Sequence, residues 1–213
     1  MLDHEAYYFR KCYYGFNLQA ICDWNRRFIY AYLGHTASVH DSTAFKASSL
    51  YQNRSRYFED EEFVLADKAY ALEKHVITPY KGLSSLQVHN KRFNYHLSIP
   101  RVKIEHSFGI LKARWVSLSN LPLRIDEDRI KGHNRVIEWT MACLVLHNLL
   151  LDFQDDDSWL EWSIQNAEDE DTAISSTNDR NAKDEKRAGE RRREDLKDRL
   201  QYINPLVVVI LYF

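Results

Sequence analysis

Cysteine is scarce in this sequence, and its three copies lack the spacing of a structural site. Cys12, Cys22 and Cys143 are an odd number without a Cys-x-x-Cys pair, which argues against a disulfide framework and against a zinc site. The sequence also lacks a secretory leader, and its longest apolar run, 206–213, is far shorter than the roughly 20 residues of a membrane helix. These absences predict an intracellular, soluble protein without a membrane partner.

A strong net charge is absent as well. The formal net charge is −2, with 20 Lys and Arg against 15 Asp and Glu in residues 1–150, and 9 against 16 in residues 151–213. This balance argues against a dedicated basic DNA-binding module, so any contact with nucleic acid has to come from locally clustered side chains. The sequence also contains no GxSxG, P-loop or HExxH pattern.

A change in composition near residue 152 predicts the domain organisation. Residues 1–152 are long enough for one globular core and predict a single domain. Acidic runs and a Ser/Thr/Asn-rich stretch predict a linker over 153–181. Residues 182–213 begin with mixed charges, which predict a solvated helix held by i,i+4 ion pairs or a disordered tail, and they end in an apolar segment.

The start of the predicted domain has the period of β-strands. Residues 13–22 alternate between apolar and polar positions, with Asn17 and Gln19 on the polar side, which predicts a half-buried strand. Residues 28–33 predict a second strand. Because Asp23–Arg26 supplies turn residues between them, we expect the two strands to form a hairpin.

Start signals predict three helices. The first is capped by Ser38 or Asp41 and reaches about residue 52. The second spans about 98–118, where Pro100 follows a serine start signal and the apolar residues recur every three or four positions. The third, about 127–151, is a predicted core helix that is heavily apolar in its second half.

Two carboxylates stand where the predicted elements favour a site. A short strand over 63–66 ends at Asp67, and the loops after strand ends face the functional crevice of open sheets. Another strand follows over 76–78. Glu105 lies beside the buried stripe of the 98–118 helix, on one line with Arg101. From spacing alone, a turn aspartate is the favoured explanation for Asp67, and a surface ion pair with Arg101 is the alternative for Glu105.

The order of the elements indicates a fold class. The predicted order is two strands, a helix, a strand ending in Asp67, another strand, and a long helix carrying Glu105. This order is typical of an α/β, ribonuclease-H-like mixed sheet flanked by helices, from its second strand onward. The first, central strand of that class has no evident counterpart here. Such domains bring carboxylates together to hold two divalent cations, and oxygen-only ligands favour Mg²⁺ or Mn²⁺.

Six blocks of the sequence resemble the DDE superfamily endonucleases related to Harbinger transposases. They occur in the family's order between about residues 5 and 152: YGFNLQAICD (14–23), GHTASVHDSTAFKASSL (34–50), LADKAYAL (65–72), ITPYKG (77–82), FNYHLSIPRVKIEHSFGILKARW (93–115) and CLVLHNLL (143–150). The resemblance implies that Asp67 is the second catalytic Asp and Glu105 the catalytic Glu, 37 residues apart, and that both bind the metal ions. It further implies cleavage and strand transfer of DNA at transposon ends, a nuclear location and a separate DNA-binding partner protein.

Other residues of the matching blocks are candidates for contacts with DNA or metal. Arg101, Lys112 and Arg114 lie on the helix of Glu105 and could contact phosphates, although a solvated helix face explains them equally well. Asp41 ends a recognisable part of its block and is a candidate accessory metal ligand. Capping of the following helix is the favoured explanation for Asp41.

Two features depart from the family. Ala66 stands before Asp67 where the family has Gly, a change that keeps the carboxylate. The family's first catalytic Asp, in an Asp-Gly-Thr or Asp-Gly-Ser motif, has no counterpart, and Asp3 lies only 10 residues before Tyr13, too close for a strand and a turn. Because cations would be under-coordinated without one carboxylate, we expect little or no cleavage by this chain. A non-catalytic DNA- or protein-binding remnant of a transposase and a gene fragment are the alternatives.

The apolar C-terminal segment is a candidate for the place of the absent central strand. A central strand that is absent leaves two rows of backbone donors and acceptors unpaired. The segment LVVVILYF (206–213) has the β-branched composition of a buried strand. If it fills the gap, we expect residues 207–211 to pair with 17–21 or with 63–66.

Overall fold

The computed structural model of the chain has a mixed α/β architecture and describes residues 8–9, 13–119, 121, 129–153, 180–197, 199 and 206–212. Asp3 and most of the linker predicted over 153–181 lie outside these residues. The strands are β1 (Tyr8–Phe9), β2 (Tyr13–Tyr14), β3 (Phe16–Cys22), β4 (Phe28–Thr36), β5 (Val64–Leu65), β6 (Val76–Ile77) and β7 (Leu206–Tyr212). The α-helices are α1 (Asp41–Ala47), α2 (Ser49–Gln52), α3 (Arg54–Tyr57), α4 (Val88–Arg114), α5 (Arg129–Leu150) and α6 (Arg180–Leu196).

The predicted hairpin of β3 and β4 is confirmed. The two strands pair antiparallel, from Phe16 opposite Thr36 to Cys22 opposite Phe28. Asp23 fixes the turn, because its carboxylate accepts the backbone N–H of Arg27 at 2.9 Å. Within this turn Arg26 has a φ of 68°, a left-handed conformation that costs a residue with a side chain about 1–2 kcal/mol.

β3 is buried on both faces, so the prediction of a half-buried strand is wrong. Its apolar side, with Leu18 and Ala20, belongs to a core that includes residues of α4 and α5. On the other side Asn17 and Gln19 are each only 1% exposed. The start of α1 lies over that side, and both side-chain amides donate hydrogen bonds to Asp41.

β7 lies in the middle of the larger sheet, whose strand order is β4-β3-β7-β5-β6. It runs antiparallel to β3, from Asn17 opposite Tyr212 to Cys22 opposite Val207. It runs parallel to β5, where Leu65 lies opposite Val207. The pairing expected of the apolar C-terminal segment is therefore confirmed on both sides, and β7 supplies backbone partners to β3 and β5.

β5 and β6 form the parallel edge of this sheet. Val64 pairs with Val76 and Leu65 with Ile77, so both predicted strands are present and shorter than predicted. Leu65 and Ile77 are fully buried. Because both faces of β5 are covered, Asp67 emerges from the core two residues after the strand ends.

The single helix predicted up to residue 52 is divided into α1, α2 and α3. The ring of His40 caps α1 by accepting the backbone N–H of Ser42, so neither predicted cap, Ser38 nor Asp41, fills that role. Ser48 then interrupts the helix and caps α2 by accepting the backbone N–H of Tyr51 at 3.2 Å. A serine competes with the backbone for hydrogen bonds, and it therefore favours a helix start over a helix interior.

α4 begins at Val88 rather than near residue 98, and it contains Pro100. A proline in a helix interior costs about 3 kcal/mol. In the additional turns Phe93 and Leu97 are buried in one core with residues of β5 and β6. Burial of each such side chain contributes about 1.5–3 kcal/mol, which offsets the cost of Pro100. Packing, not the local start signal, sets the start of this helix.

α5 agrees closely with the predicted span, but only one side of it belongs to the core. Val136, Cys143 and Leu144 are buried there together with His147. The prediction of a core position is wrong for four apolar residues of the second half, which are 39–67% exposed: Val145, Leu146, Leu149 and Leu150. This half of the helix therefore presents an apolar face on the surface.

The charged helix predicted after residue 182 is present as α6, and it packs against the β5–β6 edge rather than standing in solvent. Arg192 donates to the backbone carbonyl of Asp60 at 2.6 Å, and the guanidinium of Arg193 lies 3.7 Å from the ring centroid of Tyr80. Leu196 is buried in the core formed with β5 and β6. None of the helices described here is long and apolar enough to cross a membrane.

Candidate functional site

Asp67 lies just beyond β5, as predicted, and its side chain is half-buried. Its Oδ1 accepts the backbone N–H of Ala69 at 2.7 Å, which is the hydrogen bond of an Asx turn. Burial lowers the pKa of Lys81, and the charge of Asp67 partly opposes that shift. The carboxylate therefore shapes its own loop and lies within electrostatic range of a lysine.

Glu105 lies on the exposed side of α4. Its Oε1 accepts a hydrogen bond from Arg101 Nη2 at 2.8 Å, one turn earlier, and the Glu105 side chain is 48% exposed. An exposed i,i+4 ion pair contributes only about 0.3–0.5 kcal/mol. The pair is therefore weak enough for Glu105 to exchange Arg101 for another ligand.

Within the described residues, Asp67 and Glu105 share no hydrogen-bond partner. The described contacts of Asp67 involve Ala69 and Lys81, whereas those of Glu105 involve Arg101 and its neighbour His106. The residues described in the structure include no group of three or more His, Cys, Asp or Glu side chains that could hold a metal ion. The roles of Asp67 and Glu105 as metal ligands thus remain predictions.

Asp41, the predicted accessory residue, is held by the buried amides of β3. Asn17 Nδ2 donates to its Oδ1 at 3.0 Å, and Gln19 Nε2 donates to its backbone carbonyl at 2.8 Å. The amide oxygens of Asn17 and Gln19 are buried and have no hydrogen-bond partner in the described part of the chain. Since Asp41 is the first residue of α1 and not its cap, its clearest role is to anchor α1 to β3.

The three predicted phosphate contacts share α4 but differ in surroundings. Arg101 forms an ion pair with Glu105. Lys112 and Arg114 are half-buried in the last turn of α4, where positive charge interacts favourably with the helix dipole. Burial lowers the pKa of Arg114, and the nearby charge of Arg26 lowers it further. Arg114 therefore lies in a region of positive potential to which the hairpin turn contributes.

Basic side chains gather near Trp24 between the hairpin turn and α4, a grouping that the sequence did not predict although Arg114 was already a candidate for phosphate contact. Lys103 Nζ lies 5.0 Å from the ring centroid of Trp24, which is 37% exposed. Burial lowers the pKa of His106, and the charges of Lys103 and Arg26 lower it further. Neither Lys103 nor Arg26 forms an ion pair within the described residues. We call Trp24, Arg26, Lys103, His106 and Arg114 the turn cluster.

A local concentration of basic side chains attracts anions. The members of the turn cluster are distant in sequence, and only the packing of α4 against the hairpin brings them together. In the sequence, Arg114 was a candidate for phosphate contact, whereas the Trp-Asn-Arg-Arg run at 24–27 served to predict the turn alone.

His147 has a structural role. It is fully buried, and its Nε2 donates to the backbone carbonyl of Arg26 at 3.1 Å. Burial lowers its pKa to about 4. A neutral His147 therefore ties α5 to the strained turn residue of the hairpin.

Comparisons with known proteins identify relatives of the chain. The sequence profile of the family described as DDE superfamily endonuclease matches residues 1–148, which confirms the family resemblance of the six blocks. A curated relative, "Protein ALP1-like" from Arabidopsis thaliana, is 24% identical over 155 residues, which cover 67% of this chain and 36% of the relative. The chain therefore spans little more than a third of the length of that relative. No solved structure matches the chain.

Proposed function

Because this chain belongs to the family of DDE superfamily endonucleases, we propose that it carries part of a metal-dependent DNA nuclease site, in which Asp67 and Glu105 are two of three metal-binding carboxylates. The observation that carries this proposal is the family match over residues 1–148, which spans both carboxylates. Asp67 follows a buried strand and Glu105 lies on the long helix, as the family resemblance implies.

The proposed fold class is ribonuclease-H-like. In that class the first strand is central and pairs with the second strand on one side and the fourth on the other. β7 takes the same central position, antiparallel to β3 and parallel to β5. The order and directions of the strands therefore support this class, with a C-terminal segment where the first strand is expected.

The carboxylate oxygens of the proposed site are suitable ligands for Mg²⁺ or Mn²⁺. Two carboxylates are, however, one fewer than the three that such a site needs. Asp67 and Glu105 offer the oxygen ligands that these cations prefer, and when bound the cations would stabilise charge on the reacting phosphate. The class carries its first carboxylate on the central strand. The sequence of β7, LVVVILY, contains no acidic residue, so we propose that these 213 residues alone cleave DNA little or not at all.

Nicking of supercoiled DNA tests this proposal. The purified chain is incubated with Mn²⁺ beside the Glu105→Ala variant and the Glu138→Ala variant, which removes an exposed carboxylate of α5. We expect equal, background nicking by all three proteins. Nicking that is lost in Glu105→Ala but kept in Glu138→Ala would disprove the inactivity and support Glu105 as a catalytic residue.

A second candidate function is DNA binding without cleavage, and the turn cluster favours it. Lys103 and Arg26 form no ion pair within the described residues, and Lys103 lies over an exposed tryptophan. A remnant of this kind would bind DNA with an affinity that falls as salt rises. Neither Asp67→Ala nor Glu105→Ala would remove that affinity.

The proposal also implies DNA as the partner, a nuclear location and a separate protein that recognises the target sequence. Microscopy of a fluorescent fusion tests the location. Exclusion of the fusion from the nucleus would contradict this part of the proposal.

A further inference from the structure

A second group of basic side chains lies beside Asp67, and part of it comes from α6. Asp67 and Lys81 follow β5 and β6, two parallel strands that stay paired at their ends, where the backbone N–H of Ala66 donates to the carbonyl of Ile77 at 2.9 Å. The ammonium of Lys81 lies against the loop that follows Asp67 and donates to the carbonyl of Tyr70 at 3.4 Å. Lys81 therefore lies at the same edge of the sheet as the candidate carboxylate.

The residue before Lys81 is held from two sides. Asn94 of α4 accepts the backbone N–H of Tyr80 at 2.8 Å and donates to the Tyr80 carbonyl at 3.1 Å. From α6, the guanidinium of Arg193 lies 3.7 Å from the centroid of the Tyr80 ring and donates to the carbonyl of Thr78 at 3.4 Å. These contacts fix the backbone at Lys81 and place a cation of α6 near it.

α6 contributes a second cation, Lys186, on the side that carries Arg193. The two residues are seven positions apart, which is close to two helix turns. Between them Gly189 lies against the backbone of Glu73, so this side of α6 faces the loop between β5 and β6. Lys186 is exposed and lies 4.0 Å from Glu190, one turn later, a weak ion pair that a stronger anion can replace.

The charges around Lys81 reflect this arrangement. Burial of the Lys81 ammonium lowers its pKa, and the charge of Asp67 partly opposes that shift. Three neighbouring cations lower the pKa further: Arg193, Lys186 and Lys68. We call Lys68, Lys81, Lys186 and Arg193 the α6 patch. Since the packing of α6 on the β5–β6 edge brings its members together, no single segment of the sequence indicates it.

Taking DNA as the partner, as the proposed function does, we propose that the α6 patch binds backbone phosphates of DNA beside Asp67. Basic side chains that converge on one place attract phosphate groups, and such contacts position a protein on the DNA backbone. The family match ends at residue 148, before α6 begins. The two cations of α6 therefore add to the DNA surface a part that membership of the family does not imply.

Fluorescence anisotropy of the full chain with a short DNA duplex, in EDTA and across a salt series, tests the α6 patch. Lys81→Gln and Lys186→Gln should each lower the slope of log affinity against log salt by about 0.9, the effect of one phosphate contact. The matched control is Arg191→Gln, which removes one positive charge from an exposed position on the other side of α6 and should keep the slope of the parent chain. Circular dichroism checks that all variants are folded.

Asp67→Asn tests whether the phosphate lies beside Asp67. The asparagine keeps a side-chain oxygen that can accept the backbone N–H of Ala69, but it removes the negative charge. In EDTA this variant should bind the duplex about threefold more tightly, because a carboxylate no longer repels the phosphate. Glu138→Gln, which removes an exposed negative charge from α5, should leave the affinity unchanged. An unchanged or lower affinity of Asp67→Asn would overturn the proposed location.

The outcomes separate this proposal from the proposed function. If the parent chain binds DNA and both lysine variants keep its slope, the α6 patch is overturned and DNA stands as the partner. A lower slope in Lys81→Gln alone would overturn the contribution of α6. A parent chain that binds no duplex even at low salt would overturn the α6 patch together with DNA as the partner.

Discussion

Gly189 of α6 lies directly against the backbone of Glu73, so that a Cβ on Gly189 would be 2.7 Å from the carbonyl oxygen of Glu73. The backbone of α6 is therefore in direct contact with the backbone of the loop between β5 and β6. Around this contact Glu73 is itself buried, accepts a hydrogen bond from Tyr51 at 3.0 Å and forms an ion pair with Arg54. The position of α6 therefore depends on residue 189 being a glycine, which has no Cβ.

The first prediction is that Gly189→Ala destabilises the fold. The added methyl has to push α6 away from Glu73, and overpacking of this kind costs about 1–3 kcal/mol. Alanine in place of glycine also favours the helix by up to about 1 kcal/mol, so a net loss of about 1–2 kcal/mol is expected. Urea unfolding followed by circular dichroism measures it. Lys183→Ala, at an exposed position of α6, is the control and should change stability by less than about 0.5 kcal/mol.

The second prediction concerns the central strand. Cys22 lies opposite Val207 in the antiparallel pair of β3 and β7, where Cα atoms are about 4.5–5.5 Å apart, within the range of a disulfide. Val207→Cys should therefore form a disulfide with Cys22. Burial raises the pKa of Cys22 to about 12, so that little thiolate is available in the folded protein. The oxidation is therefore carried out while the chain refolds.

Peptide mapping under non-reducing conditions identifies that bond. It should stabilise the fold by about 5 kcal/mol in the chain-entropy treatment, because it closes a loop of nearly the whole chain. Val208→Cys is the matched control, since residue 208 lies opposite Ile21 and should give no bond to Cys22. Equal cross-linking of the two variants would contradict the register of β7.

The sequence predicted those features that depend on neighbouring residues. Alternation and a turn-forming Asp23 were sufficient for the hairpin, and a short apolar run correctly located the strand before Asp67. The C-terminal strand was predicted by a different argument, the cost of unpaired backbone in a central gap. This argument needed no local signal beyond β-branched composition.

The errors arose where distant packing outweighs local preference. Pro100 is a valid start signal, yet burial of Phe93 and Leu97 extends α4 before it. Asn17 and Gln19 have the pattern of solvent-facing residues, yet they are buried because Asp41 accepts their amides. The turn cluster and the proximity of α6 to Glu73 involve residues far apart in sequence, and no pattern in one segment could indicate them.

The third prediction is a pH dependence of stability. Burial lowers the pKa of His147 from its ordinary value near 6.5 to about 4. A histidine with a lowered pKa in the folded state stabilises the fold above pH 6.5, and that contribution is lost as the pH falls toward 4. The loss amounts to at most about 3 kcal/mol. It is measured as the free energy of unfolding between pH 7 and pH 4.

His147→Gln should flatten this dependence, because the glutamine amide can still donate to the carbonyl of Arg26 but does not titrate. His89→Gln, at an exposed position of α4, should keep the slope of the parent protein. If His147→Gln kept that slope as well, the acid sensitivity would have to come from other groups. Those include His106 and His133, whose pKa values burial also lowers.

The last prediction separates the turn cluster from the candidate carboxylates. If Arg26 and Lys103 contact DNA phosphates, Arg26→Ala and Lys103→Ala should each reduce affinity for duplex DNA. Each should also lower the slope of log affinity against log salt by about 0.9, because one fewer counterion is released. Lys91→Ala, at an exposed lysine near the start of α4, should leave that slope unchanged. Fluorescence anisotropy across a salt series measures all three. An equal slope for every variant would show that the positive charge at the hairpin turn has no part in DNA binding, whatever Asp67 and Glu105 do.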